Sequence, residues 1–160
     1  MEQIIFAAGC FWGVEYYFDQ VPGVISVTSG YTGGIIENPT YEEVCTHTTG
    51  HAEAVLIEFD PDIVPLTTLA KHFFRMHDPT QLNRQGPDIG DSYRSAVFYF
   101  QDEQREQIER IRDEAQTRLK QPIVTVIEQA GPFYPAEGYH QKFAERTGRG
   151  MCHIPYQPIA

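Results

Sequence analysis

The chain has 160 residues, 41% hydrophobic and 21% charged, the proportions of a water-soluble globular protein rather than of a disordered or membrane chain. Asp and Glu outnumber Lys and Arg 22 to 12, a formal net charge of −10. That argues against nucleic acid and anionic membrane surfaces as partners, since both are polyanions. The length fits one domain over residues 1–160, with a Gly- and Pro-bearing tail from about residue 149.

Ile4 to Cys10 superficially resembles the cleavage box of an exported lipoprotein. However, Glu2 rather than a cation precedes it, and the apolar run is too short for a signal core. No run approaches the length of a membrane span. The three cysteines, Cys10, Cys45 and Cys152, are odd in number and scattered, unlike a secreted disulfide framework. A cytoplasmic monomer is expected.

In chain order, Gln3–Ala7 reads as a short buried strand leading to Gly9-Cys10-Phe11-Trp12-Gly13. Phe11, Val14 and Phe18 recur at helical spacing, so Cys10 falls in the first turn of a helix. There the free amides and the positive dipole end favour a nucleophilic thiolate. Gly9 allows a close approach to the sulfur, and Phe11 and Trp12 are placed to wall a small apolar pocket. A buried structural cysteine is the competing reading.

Val21-Pro22-Gly23 breaks the helix, and β-branched Val24–Ser29 is a second strand running into a glycine-rich loop, Gly30–Gly34. That loop lacks the spacing and the Lys of a phosphate cradle. Thr40 with Glu43 forms a capping box that puts Tyr41 at a helix start. His51–Phe59 is the most strand-like segment, and alternation places Glu53 on the row of Val55, Ile57 and Phe59. A carboxyl on a core row has its pKa raised and becomes a general acid near neutrality; at a strand end it would simply reach water.

Leu66–Met76 is an amphipathic helix carrying His72, with His77 just beyond it. Neither histidine has metal-site spacing. The polar loop Thr80–Ser92 is long enough to suggest function, and it leads into the strand Ala96–Phe100. Asp102 caps a helix to about Lys120, with Ile108, Ile111, Ala115 and Leu119 as its apolar stripe. Ile123–Ile127 is a strand, Phe133-Tyr134-Pro135 a turn, and Glu137–Arg146 a last helix. The expected class is α+β, a mixed sheet with helices packed on it in two layers and an irregular tail.

A cysteine in a glycine-flanked tail suits a resolving role: Cys152 can meet a sulfenic acid on Cys10 and close a disulfide. Cys152-His153 lacks the ligand count of a zinc site. The residues by themselves therefore point to a thiol redox enzyme, with Cys10 as attacker, Cys152 as resolver and Glu53 as acid. A thiol peroxidase, or a non-catalytic module binding oxidised or Met-rich partners, stays open at this level.

Gly9-Cys10-Phe11-Trp12-Gly13, Gly30-Tyr31-Thr32-Gly33-Gly34, Pro39 to Cys45, Thr49 to Val55, His77-Asp78-Pro79-Thr80-Gln81 and Tyr93-Arg94-Ser95 together resemble the peptide methionine sulfoxide reductases of the A type. The resemblance spans most of residues 4–156. It implies that Cys10 attacks the sulfur of methionine-(S)-sulfoxide while Glu53 protonates its oxygen, helped by the hydroxyls of Tyr41 and Tyr93. It further implies that Phe11 and Trp12 receive the substrate methyl group, and that Asp88 organises the site. Cys152 would resolve the Cys10 sulfenic acid, with thioredoxin or dithiothreitol as external reductant and no metal or organic cofactor. The chain departs from the family pattern at His47 (usually Gly), Pro87 (usually Asn) and Ser92 (usually Gln). Cys45 matches a family cysteine without catalytic duty and is expected to be buried.

Overall fold

The computed structural model describes residues 1–147 and 156–159. Its sheet has six strands: β1 (Glu2–Ala8), β2 (Val24–Thr32), β3 (Ala52–Phe59), β6 (Ser95–Tyr99), β7 (Val126–Gln129) and β8 (Phe133–Pro135). They lie in the order β7-β6-β1-β3-β2-β8. All neighbours are antiparallel except β6 and β7, which run parallel, so the sheet is mixed. A separate hairpin is formed by β4 (Arg84–Gln85) and β5 (Asp88–Ile89). The helices are α1 (Phe11–Asp19), α2 (Tyr41–Cys45), α3 (Leu66–Met76), α4 (Asp102–Gln116) and α5 (Phe143–Thr147). The class is α+β, as the sequence implies.

The apolar rows of the strands divide the sheet into two faces. Ile4, Phe6 and Ala8 of β1 with Val55, Ile57 and Phe59 of β3 join Phe11, Phe18, Leu69, Phe73, Ile108 and Ile111 in the main core. The opposite row, Ile5, Ala7, Ala52, Ala54, Ala96 and Phe98, forms a second and smaller cluster. Register pairs Phe6 with Val55 and Tyr31 with Glu53, which brings the start of α1 against the first residues of β3.

Several boundaries differ from the sequence reading, each for a local reason. β2 runs on through Gly30-Tyr31-Thr32, where a loop was expected. A Cβ at Gly30 would stand 2.4 Å from the Phe133 ring, so this glycine admits β8 at close range rather than loosening a loop. β7 begins at Val126, three residues later than expected. Ile123 and Val124 give their amides to Gln116 and Pro79, and Thr125 bonds Ser95, so those residues bracket the strand instead of joining it.

α4 is capped by Gln101, not Asp102, and closes at Gln116, after which i→i−3 bonds through Leu119 tighten the chain. Phe133–Pro135 is a strand, and the expected helix over 137–146 is a 3₁₀ turn, Gly138–His140, followed by α5. The break falls at Lys142, whose φ of 57° no helix accepts. The long loop of 80–92 holds the β4–β5 hairpin and a 3₁₀ turn over Asp91–Tyr93.

On the flank of α3, Tyr156 stacks on His72 and meets Tyr17 edge-on. Arg75 bonds both Tyr17 and the Gln157 carbonyl. Burial and the Arg75 charge push His72 down to about 4, so it is neutral here. His77 is likewise structural: it bonds the Phe73 carbonyl and Ser95, and burial pushes it down to about 4.

Candidate active site

β1 and α1 are joined by Gly9 and Cys10. Gly9 has φ +95°, and a Cβ there would stand 2.9 Å from Cβ of Gln85, so only glycine lets the β4–β5 hairpin close over this turn. Cys10 is the N-cap of α1 rather than a residue of its first turn, and it is partly buried. The amides of Trp12 and Gly13 pull the thiol toward ionisation, as the helix-start reading expects. Burial is the stronger effect, and the carboxyls of Glu53 and Asp88, wherever they are ionised, add to it. The thiol is therefore pushed well above its ordinary range, and the expected resting thiolate is corrected to a thiol.

Glu53 supplies the other half of the site. It lies one strand position inside β3, on the row of Val55, Ile57 and Phe59, and is 1% exposed. Oε1 accepts the Phe11 amide at 3.2 Å, which sets the carboxyl beside the residue following Cys10. Oε2 is buried with no hydrogen-bond partner among the described residues. Desolvation, with a smaller contribution from the charge of Asp88, raises the carboxyl to about 8 against the help of that single amide. At neutral pH Glu53 therefore carries a proton.

The two tyrosines named from the sequence are brought to the same place. Tyr41 opens α2 behind the observed Thr40–Glu43 capping box, with Cys45 of the same helix as a neighbour of its hydroxyl. Tyr93 ends the 3₁₀ turn and lies within electrostatic reach of Glu53, Cys45, Asp88 and Cys10. Burial holds both phenols above their ordinary range, so both are hydroxyl donors. Cys45 is half-exposed and a free thiol, not buried as expected, because α2 turns it toward Tyr41.

Trp12 is partly exposed, whereas Phe11 is 0% exposed. Phe11 supports the site from beneath: its ring stacks under Tyr41 at 6.3 Å and its amide holds Glu53. A methyl group would meet Trp12 rather than Phe11. Asp88, in β5, contributes its charge to the Cys10, Glu53 and Tyr93 sites. Cys152 lies outside the described residues.

The segment from Tyr134 to Lys142 holds residues the sequence reading missed. Glu137 accepts the Tyr31 hydroxyl at 2.9 Å and the Tyr41 amide at 3.0 Å, fixing the start of α2. His140 Nδ1 accepts the Trp12 indole N–H at 2.9 Å, and its ring lies 4.3 Å from that of Tyr41. The run of aromatic and polar residues after Pro135 is the only signal of this belt in the sequence, and it is one a surface helix also gives.

Among the described residues no group of three or more His, Cys, Asp or Glu is disposed to hold a metal ion, and no helix is long and apolar enough to cross a membrane. A concavity of about 790 Å³ between α3 and α4 contains none of the candidate residues, so chemistry rather than volume locates the site.

A thiol at a helix cap, a protonated buried acid beside it and neutral hydroxyls around both are the parts of a thiol oxidoreductase that protonates what it attacks. Comparison narrows the class. The family model described as peptide methionine sulfoxide reductase matches residues 2–160. The peptide methionine sulfoxide reductase MsrA of Methanothermobacter thermautotrophicus is 54% identical over 155 residues, 96% of this chain and 92% of that one. Among solved structures, Mxr1 of Saccharomyces cerevisiae in reduced form superposes with a TM-score of 0.91 at 33% identity, covering 98% of this chain and 92% of its own. Mxr1 in complex with Trx2 gives 0.67 at 25% identity, with 98% and 90% covered. The chain belongs to the peptide methionine sulfoxide reductase family and is an oxidoreductase that reduces methionine sulfoxide at the expense of thiols.

Proposed function

We propose that the enzyme takes the S epimer of methionine sulfoxide, protein-bound or free, with Cys10 as nucleophile and Glu53 as proton donor. The observation that carries this reading is the Glu53 carboxyl: buried, held by the Phe11 amide, bare at Oε2 and raised to about 8. A sulfoxide is a poor electrophile until its oxygen is protonated, and a carboxyl that keeps its proton at neutral pH supplies that step.

The substrate methyl group rests against Trp12, whose ring His140 orients. Tyr41 and Tyr93 donate their hydroxyls to the sulfoxide oxygen, and Asp88 helps hold Glu53 in its protonated form. Glu53 passes its proton to the oxygen as Cys10 Sγ attacks the sulfur, and the Cys10 thiol proton replaces it on the carboxylate. The oxygen then moves from substrate sulfur to Sγ: the S–O bond and the sulfur–Sγ bond made by the attack break, an Sγ–O bond forms, methionine leaves and Cys10 is a sulfenic acid. The Cys152 thiol displaces water from it to form the Cys10–Cys152 disulfide, which thioredoxin reduces by exchange. The Mxr1–Trx2 complex supports that choice of reductant.

The thiol peroxidase alternative needs a thiolate poised below neutrality, and the raised Cys10 thiol argues against it. On the same reading the protein works as a cytoplasmic monomer repairing methionine under oxidative stress. The test supplies the protein and dithiothreitol with each epimer of a blocked methionine sulfoxide and follows both by chromatography. Loss of the S epimer alone is expected, and Cys10→Ser abolishes it. Consumption of the R epimer, or turnover by Cys10→Ser, overturns the reading.

A further inference from the structure

We propose that His47 is a positioning residue for Tyr93, a role that rests on the reading above in which the Tyr93 hydroxyl serves the sulfoxide oxygen. His47 follows the last turn of α2, its amide bonded to the Val44 carbonyl at 3.0 Å. Its φ is +59°, the left-handed conformation with which a helix commonly closes on glycine. A side chain there costs about 1 kcal/mol of backbone energy, so its presence calls for a compensating contact.

The contact is with the turn that carries Tyr93. A Cβ built on Gly90 would stand 2.3 Å from Cε1 of the His47 ring and 2.6 Å from both its nitrogens, so the imidazole lies directly on the bare face of Gly90. Its Nδ1 is 3.2 Å from the Ser92 hydroxyl and 3.7 Å from Asp91 Oδ1. Ser92 is buried, and Asp91 Oδ1 is buried with no hydrogen-bond partner among the described residues. The ring then meets Tyr93 edge-on at 6.2 Å between centroids. One side chain just beyond α2 thus meets each residue from Gly90 to Tyr93.

His47 and Ser92 thus meet across the two segments, side chain to side chain. The turn itself is closed by the Tyr93 and Arg94 amides on the Gly90 and Asp91 carbonyls, at 3.1 and 3.2 Å. The imidazole braces this turn from outside, and so sets where the phenol points relative to Glu53.

The test compares the parent with His47→Gly, His47→Asn, Tyr93→Phe and the His47→Gly/Tyr93→Phe double variant. The readouts are amide hydrogen exchange, thermal melting and the single-turnover rate on blocked methionine-(S)-sulfoxide. His47→Gly keeps or raises the melting temperature, since glycine suits the backbone. It speeds exchange at the Tyr93 and Arg94 amides and lowers the single-turnover rate about tenfold, with substrate affinity unchanged. Asn, which tolerates the left-handed region and carries a hydrogen-bonding amide, restores most of the rate. With Tyr93→Phe already in place, His47→Gly costs nothing more. Unchanged exchange at those two amides, or an equal loss of rate in the Tyr93→Phe background, overturns the proposal. A silent Tyr93→Phe overturns it together with the role given to Tyr93, whereas the wider reading falls if Cys10→Ser stays active or the R epimer is consumed.

Discussion

Two carboxylates, Glu15 and Glu53, are each 1% exposed, yet their surroundings assign them opposite work. Glu15, on α1, accepts the Ser29 hydroxyl at 2.8 Å and the Lys142 amide at 2.9 Å, and the Lys142 ammonium stands 3.4 Å from its second oxygen. Glu53 has one amide, no cation and the negative charge of Asp88 close by. Burial alone therefore does not make an acid catalyst. A buried carboxyl with a counter-charge and two donors is a tie between segments, and one deprived of both keeps its proton.

The contrast sets the predictions in order of size. Glu53→Gln removes the transferable proton while keeping the shape, and lowers the single-turnover rate by about 10²–10⁴, the range of a lost general acid. A loss under about threefold in stopped-flow would break the contrast. Glu15→Ala leaves one buried and one part-buried donor without an acceptor. It costs about 2–4 kcal/mol of stability in urea unfolding, with the rate kept within about threefold. An undiminished stability would show that Glu15 is no tie.

A pH series sharpens the same comparison. The Glu53 carboxyl titrates at about 8 in the fold against 4.5 for an ordinary one. The folded state therefore binds the proton more tightly, and the stability this contributes is full below about 4.5 and is lost as pH rises to about 8. Glu53→Gln, which cannot ionise, melts higher than the parent at pH 8 and loses that advantage at pH 4. Equal melting temperatures at both would contradict the raised carboxyl. The smallest effect belongs to Cys45→Ala, which removes the thiol neighbouring the Tyr41 hydroxyl and changes the rate less than about fivefold, measured in the same stopped-flow assay.

Glu53 was legible because a strand repeats every second residue, and a carboxyl on an apolar row stands out. Glu15 was not: on a helix it reads as one more polar position, and the residues that cover it, Ser29 and Lys142, are distant in sequence. The capping box at Thr40, the α3 stripe and the strand leading to Cys10 were likewise local signals. His140 and Glu137 stayed hidden because their partners, Trp12, Tyr31 and Tyr41, lie about a hundred residues away. The sign of the Cys10 shift was misread for a related reason. The helix-start amides are visible in a sequence, but the desolvation that outweighs them comes from the hairpin and β3 folding over the cap.

Infrared difference spectroscopy of the parent against Glu53→Gln, recorded from pH 6 to pH 10, tests the central claim most directly. The account predicts a protonated-carboxyl band at pH 7 that belongs to Glu53 alone and disappears with a midpoint near 8. A carboxylate band in its place at pH 7 would mean that Glu53 has no proton to give, and would contradict the account.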